Sequence, residues 1–130
     1  MRHIVVPCFV TLFLLTRAVG AEPSAFDAAL AESQSNAARP GGEAFEEAVG
    51  KEFGVTHGPK VSVCAKQVKK PDLSDFDLLV KLSLEGRVEA ALVRPETNLA
   101  VCLRDQMKGA SLPAPESAGY WVHIGLDLQR

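Results

Sequence analysis

Between Ser74 and Leu128 the spacing of apolar positions changes three times, and each change falls at a turn signal. Phe76, Leu78, Val80, Leu82 and Leu84 alternate with Asp77, Leu79, Lys81 and Ser83, the period of two that marks a half-buried strand. Glu85-Gly86 breaks the run. Val88, Ala90 and Leu92 then point one way and Glu89, Ala91 and Val93 the other, so Leu84 to Arg87 predicts a hairpin turn between two strands. After Pro95 the period becomes helical, with Leu99, Cys102, Leu103 and Met107 on one face. Past Gly109 and the extended Leu112-Pro113-Ala114-Pro115 the alternation returns, with Tyr120, Val122, Ile124, Leu126 and Leu128 facing one way. The predicted unit is strand, strand, helix, strand.

Upstream, Glu43 to Phe53 predicts a helix. Phe45, Val49 and Phe53 recur every four residues beside Ala44 and Ala48, and Glu43, Glu46 and Glu47 lie near its start, where the helix dipole favours acids. Gly54 is expected to end it as a C-cap. Lys60 to Lys70 fits two readings: Val61, Cys64, Ala65 and Val68 make a helical face, whereas Val61, Val63 and Ala65 would suit a strand. Pro59 at a first helical turn and Pro71 just beyond the end favour the helix. Before these lies an arm over residues 21–42, rich in Ala, Ser, Asn and Pro and closed by Arg39-Pro40-Gly41-Gly42. Phe26, Ala29, Leu30 and Ser33 fall on one stripe of a helix over Ala25 to Ala38, but large apolar residues are few, so the arm is expected to be flexible or weakly helical. Residues 43–130 then form a single domain.

The first twenty residues read as a secretory signal: Arg2 and His3, an apolar stretch from Ile4 to Leu15, then Ala18-Val19-Gly20-Ala21, with cleavage expected near Gly20 or Ala21. That stretch contains Pro7 and is short of the ~20 apolar residues a membrane span needs, and Cys8 leaves with it. A periplasmic or secreted protein without stable membrane insertion is the expectation. Cleavage removes Arg2 and Arg17 and no acid, taking the formal charge from −2 to −4. Nucleic-acid binding is not expected of such a chain, and Lys66, Lys69 and Lys70 read as the solvated face of one element.

Cys64 and Cys102 remain in the mature chain. In an oxidising compartment two cysteines in a small domain allow one pairing, and closing that loop would stabilise the fold by about 2–4 kcal/mol. A Cys-x-x-Cys pair is absent, and His57 and His123 are scattered rather than set at ligand spacing, so neither redox exchange nor a metal site is predicted, and no cofactor.

Several of these features together resemble the C-terminal domain of the TonB energy-transducer family, in particular its cysteine-bearing branch found in gliding-motility-type and uncharacterised exported proteins. The resemblance runs over about residues 60–128. It rests on Cys64 in a helix, the strand Phe76 to Leu84, the turn Glu85-Gly86-Arg87-Val88, the run Thr97 to Leu103 with Cys102, Leu112-Pro113-Ala114-Pro115 and the last strand. What it implies is an α+β fold, a small antiparallel sheet of three strands with two or three helices packed on one face. The implied role is contact with another envelope protein rather than catalysis. Glu22 to Gly42 is too short and proline-poor to act as a transducer's long Pro-rich spacer, so a binding or structural module is expected, not energy transduction.

The candidate surface lies on the last strand. Trp121, His123 and Asp127 fall on the side opposite Tyr120, Val122 and Ile124. If helices cover only the latter, the former are an exposed binding face for a partner, which could also add a strand at a sheet edge. The alternative is that the N-terminal arm, or Phe26 within it, covers Trp121. A second functional class, a small secreted enzyme or ligand-binding protein, would use the loop residue His57 or the Trp121/His123 face; no nucleophile or carboxylate pair is identifiable beside His57. The oligomeric state is not legible in the sequence.

Overall fold

β1 (Phe76–Leu82), apolar at five of its seven positions, is the middle strand of a three-stranded antiparallel sheet in the order β2-β1-β3. The computed structural model describes residues 23–129, so the predicted signal segment lies outside the described residues. β2 (Val88–Arg94) and β3 (Tyr120–Leu126) flank β1, and β3 pairs in unbroken register from Leu82 opposite Tyr120 to Phe76 opposite Leu126. Three of the helices, α2 (Gly42–Glu52), α3 (Pro59–Gln67) and α4 (Asn98–Met107), cover the face carrying Leu78, Val80 and Val122, and contribute Val49, Cys64, Leu99, Leu103 and Met107 to one core. The α+β class and the three antiparallel strands are as expected.

The hairpin differs in two details. β1 stops at Leu82, and Leu84 is exposed in the turn. Leu82 pairs with Val88 while Lys81 pairs with Ala90, so Glu89 is the extra residue of a β-bulge. One extra residue reverses the facing of everything beyond it, which puts Val88 on the core side with Ala91 and Val93 instead of with Ala90 and Leu92. Gly86 has φ +84°, and a Cβ there would overlap the carbonyl oxygen of Leu112, so only glycine fits between this turn and the Leu112-Pro113 strap.

Cys64 and Cys102 are bonded, with Cα atoms 5.7 Å apart, and tie α3 to α4. The bond fits an oxidising compartment, and among the described residues no helix is long and apolar enough to cross a membrane.

The second face of the sheet is covered as well. Leu79 is fully buried there, in register with Leu92 on one side and His123 on the other. A buried leucine on that face needs a cover, and α1 (Ala25–Ala37) provides it, packing Phe26 and Ala29 on Leu79, with Leu30, Leu92 and Trp121 around them. The arm is therefore a regular helix, capped by Ser24, whose Oγ accepts from the Asp27 amide at 3.1 Å. Helices flank both faces, not one.

Gly54 does not cap α2. The helix runs on into one π turn, Phe53–His57, in which the Gly58 amide donates to the Phe53 carbonyl at 2.8 Å, and α3 starts at Pro59. The wider turn rotates His57 inward and leaves Val55 outside.

Candidate functional site

The two edges of the sheet are treated differently. At the start of β2, the Val88 amide donates to the Ala110 carbonyl and its own carbonyl accepts from Gly109, both at 2.9 Å, so the strap after α4 occupies that end of the edge. The strap ends where the Gly119 amide donates to the Leu82 carbonyl at 3.0 Å. Ser83 directs its amide to Arg87, on the β2 side, so Leu82 directs its backbone groups to β3. In an antiparallel ladder these directions alternate. Tyr120, Val122, Ile124 and Leu126 therefore bond β1, while Trp121, His123 and Gly125 turn their amides and carbonyls off the outer edge. The Trp121 carbonyl is taken by Asn36, whose Nδ2 donates to it at 3.1 Å. No backbone group of another described element pairs with His123 or Gly125.

That stretch of edge opens on a groove of about 660 Å³ between β3 and α2. Ile124 and Leu126 of β3, with Phe53 below them, give it apolar surface, and Gly50 and Gly54 keep the helix wall low. Glu43, Glu46 and Glu47 stand along the helix side, and Asp127 lies at the strand's far end. At the opposite end Phe45 meets Tyr120 edge to face, ring centroids 5.1 Å apart, which fixes α2 beside the start of β3.

The three predicted binding residues separate. Trp121 is half-buried under α1, so the open aromatic face is not present and the covering arm is what the structure has. His123 lines the groove and donates from Nε2 to Asp77 Oδ1 at 2.7 Å, a diagonal cross-strand pair that orients the ring. Asp127 lines the groove too. His57 is buried: its Nε2 donates to the Ser111 carbonyl at 2.8 Å, and its Nδ1 accepts from Lys60 Nζ at 2.9 Å. A carbonyl only accepts, so the tautomer follows from this pairing. The ring joins the π turn to the strap.

In the sequence the groove's glutamates stand out only as partners of the helix dipole. Their spacing held a further signal, since Glu43, Glu46, Glu47, Gly50, Phe53 and Gly54 recur at three- and four-residue intervals and so share one stripe. Compared with protein-family models, curated proteins and solved structures, the chain matches none.

Proposed function

We propose that this chain is an exported, non-catalytic protein-binding module of the cell envelope that accepts an extended segment of another protein as an added strand on β3. The observation that carries this reading is the outward backbone of His123 and Gly125 beside an open groove. Unpaired edge groups are a template for a fourth strand, and a polar or covering element is the usual way proteins block one. Here the strap takes the start of the β2 edge at Val88 and Asn36 takes the first outward position of β3, while the next two positions of β3 are left open beside the groove. The resemblance to TonB C-terminal domains, which implies protein contact, supports the same reading.

The test is Gly125→Pro. Proline removes the outward amide, and because Gly125 does not donate to β1 the sheet should tolerate it at this edge. Wild-type protein carrying a photo-crosslinker at Gln129 should link to one envelope protein, and the Gly125→Pro form should lose that product with its melting temperature little changed. Equal crosslinking by both forms would remove the edge from consideration.

A further inference from the structure

The groove is one-sided in charge. Glu43, Glu46 and Glu47 line its helix side, and among the described lining residues none is a lysine or an arginine, His123 being the one basic side chain. Among the described residues Arg39, Arg94, Arg104 and Lys108 pair with other acids, His123 of the groove bonds Asp77, and none of the three glutamates takes part in an ion pair. The basic residues Lys66, Lys69 and Lys70 lie at the end of α3 and just beyond it. Like charges crowded along one wall of a low-dielectric cleft repel one another and draw counter-charge.

Resting on the strand-addition reading above, we infer that the occupant is a cationic extended segment of a partner protein, with lysine or arginine at alternate positions. Alternation follows from the strand period: a chain paired with His123 and Gly125 directs every second side chain toward the α2 wall and the others away from it. Those directed at α2 meet Glu43, Glu46 and Glu47. An acidic segment would bring like charges together along the groove, so the same wall that attracts one class of partner excludes the other. Gly50 and Gly54, without side chains, leave room for the long basic stems to lie against Phe53.

Three synthetic ten-residue peptides test this on the full chain. All share an alternating Val-Thr strand pattern and carry Lys, Ser or Glu at every second position. The Lys peptide should bind at least about tenfold tighter than the Ser peptide and the Glu peptide weakest, with the Lys advantage shrinking between about 20 mM and 500 mM salt. Binding should shift the amide resonances of His123 and Gly125. The triple variant Glu43→Gln, Glu46→Gln, Glu47→Gln should bind Lys and Ser peptides alike while still melting in one cooperative transition. If the three peptides bind equally and shift those amides, the cationic preference is wrong and strand addition stands. If no peptide moves them, both fall.

Discussion

Asn36, at the end of α1, donates its side-chain amide to the carbonyl of Trp121 at 3.1 Å, and the Tyr120 hydroxyl donates back to the Asn36 carbonyl at 3.4 Å. The end of the first helix is thereby stitched to the start of the last strand. The same contact fills the first outward position of the β3 edge and seats the Trp121 ring beneath α1.

Trp121 therefore behaves as a core residue. Trp121→Ala removes a large half-buried ring from the cluster of Phe26, Ala29 and Leu79, and should cost about 3 kcal/mol. Ile124→Ala, on the other side of the same strand, should cost about 2–5 kcal/mol. Thermal melting of both variants checks this: a Trp121→Ala protein as stable as wild type would mean that α1 does not pack as described.

The sequence carried the sheet because β1 and β3 follow the period of two closely, and their register has no interruption. What it obscured was the second face. Leu79 reads as an apolar intruder among Asp77 and Lys81, yet the strand order sets it beside Leu92, and with Trp121 the three make an apolar patch that a solvated face would not carry. Helix α1 was hard to see as the cover because its contacts are made by small residues, Ala29 and Ser33, in addition to Phe26. The Glu89 bulge shifts facing without changing composition, and the π turn at Gly54 depends on how His57 finds Ser111, more than fifty residues away. Alternation along one strand contains none of these long-range pairings.

The Cys64–Cys102 bond should be stable and complete. Protein purified without reductant should show no alkylatable thiol among these two residues, and the double variant Cys64→Ser, Cys102→Ser should lose about 2–4 kcal/mol in denaturant unfolding, given that Cys64 is fully buried between α3 and α4. A full complement of thiols in the exported protein would contradict the structure.

Acid should loosen α1 first. The Arg94 guanidinium, at 2.6 Å, and the Ser24 hydroxyl hold the Asp27 carboxyl below its usual 3.8, and Arg94 lies 4.1 Å above the Phe26 ring. Asp72 is lowered in the same direction by the Ser74 hydroxyl and amide. A lowered folded value means that the stabilisation is present above the unfolded value and disappears as pH falls through the folded one. Tyr120 is shifted the opposite way, upward from 10.0, by burial first and then by Glu116, so its contribution is present below 10.0 and lost as pH rises through the folded value. Melting temperatures should therefore fall at both extremes, and Asp27→Asn should flatten the acid limb. An acid limb unchanged by Asp27→Asn would show that the Arg94 clasp contributes nothing.

Two glycines of α2 should respond in opposite directions to the same methyl group. Gly42 is pressed against the end of α1, where a Cβ would overlap the carbonyl oxygens of Asn36 and Ala37. Backbone cannot yield as a flexible side chain does, so Gly42→Ala should push α2 away from α1 and destabilise the fold by about 1–3 kcal/mol. Gly50 lies in the interior of the same helix with nothing within 4 Å of its virtual Cβ. Gly50→Ala loses less backbone entropy on folding and should stabilise by about 0.5–1 kcal/mol. Its methyl group, however, projects at the groove, so it should weaken any peptide that lies along β3 while raising the melting temperature. That separation of binding from stability distinguishes a used groove from an incidental one: if Gly50→Ala raises stability and leaves peptide affinity unchanged, the peptide does not pass along the α2 wall.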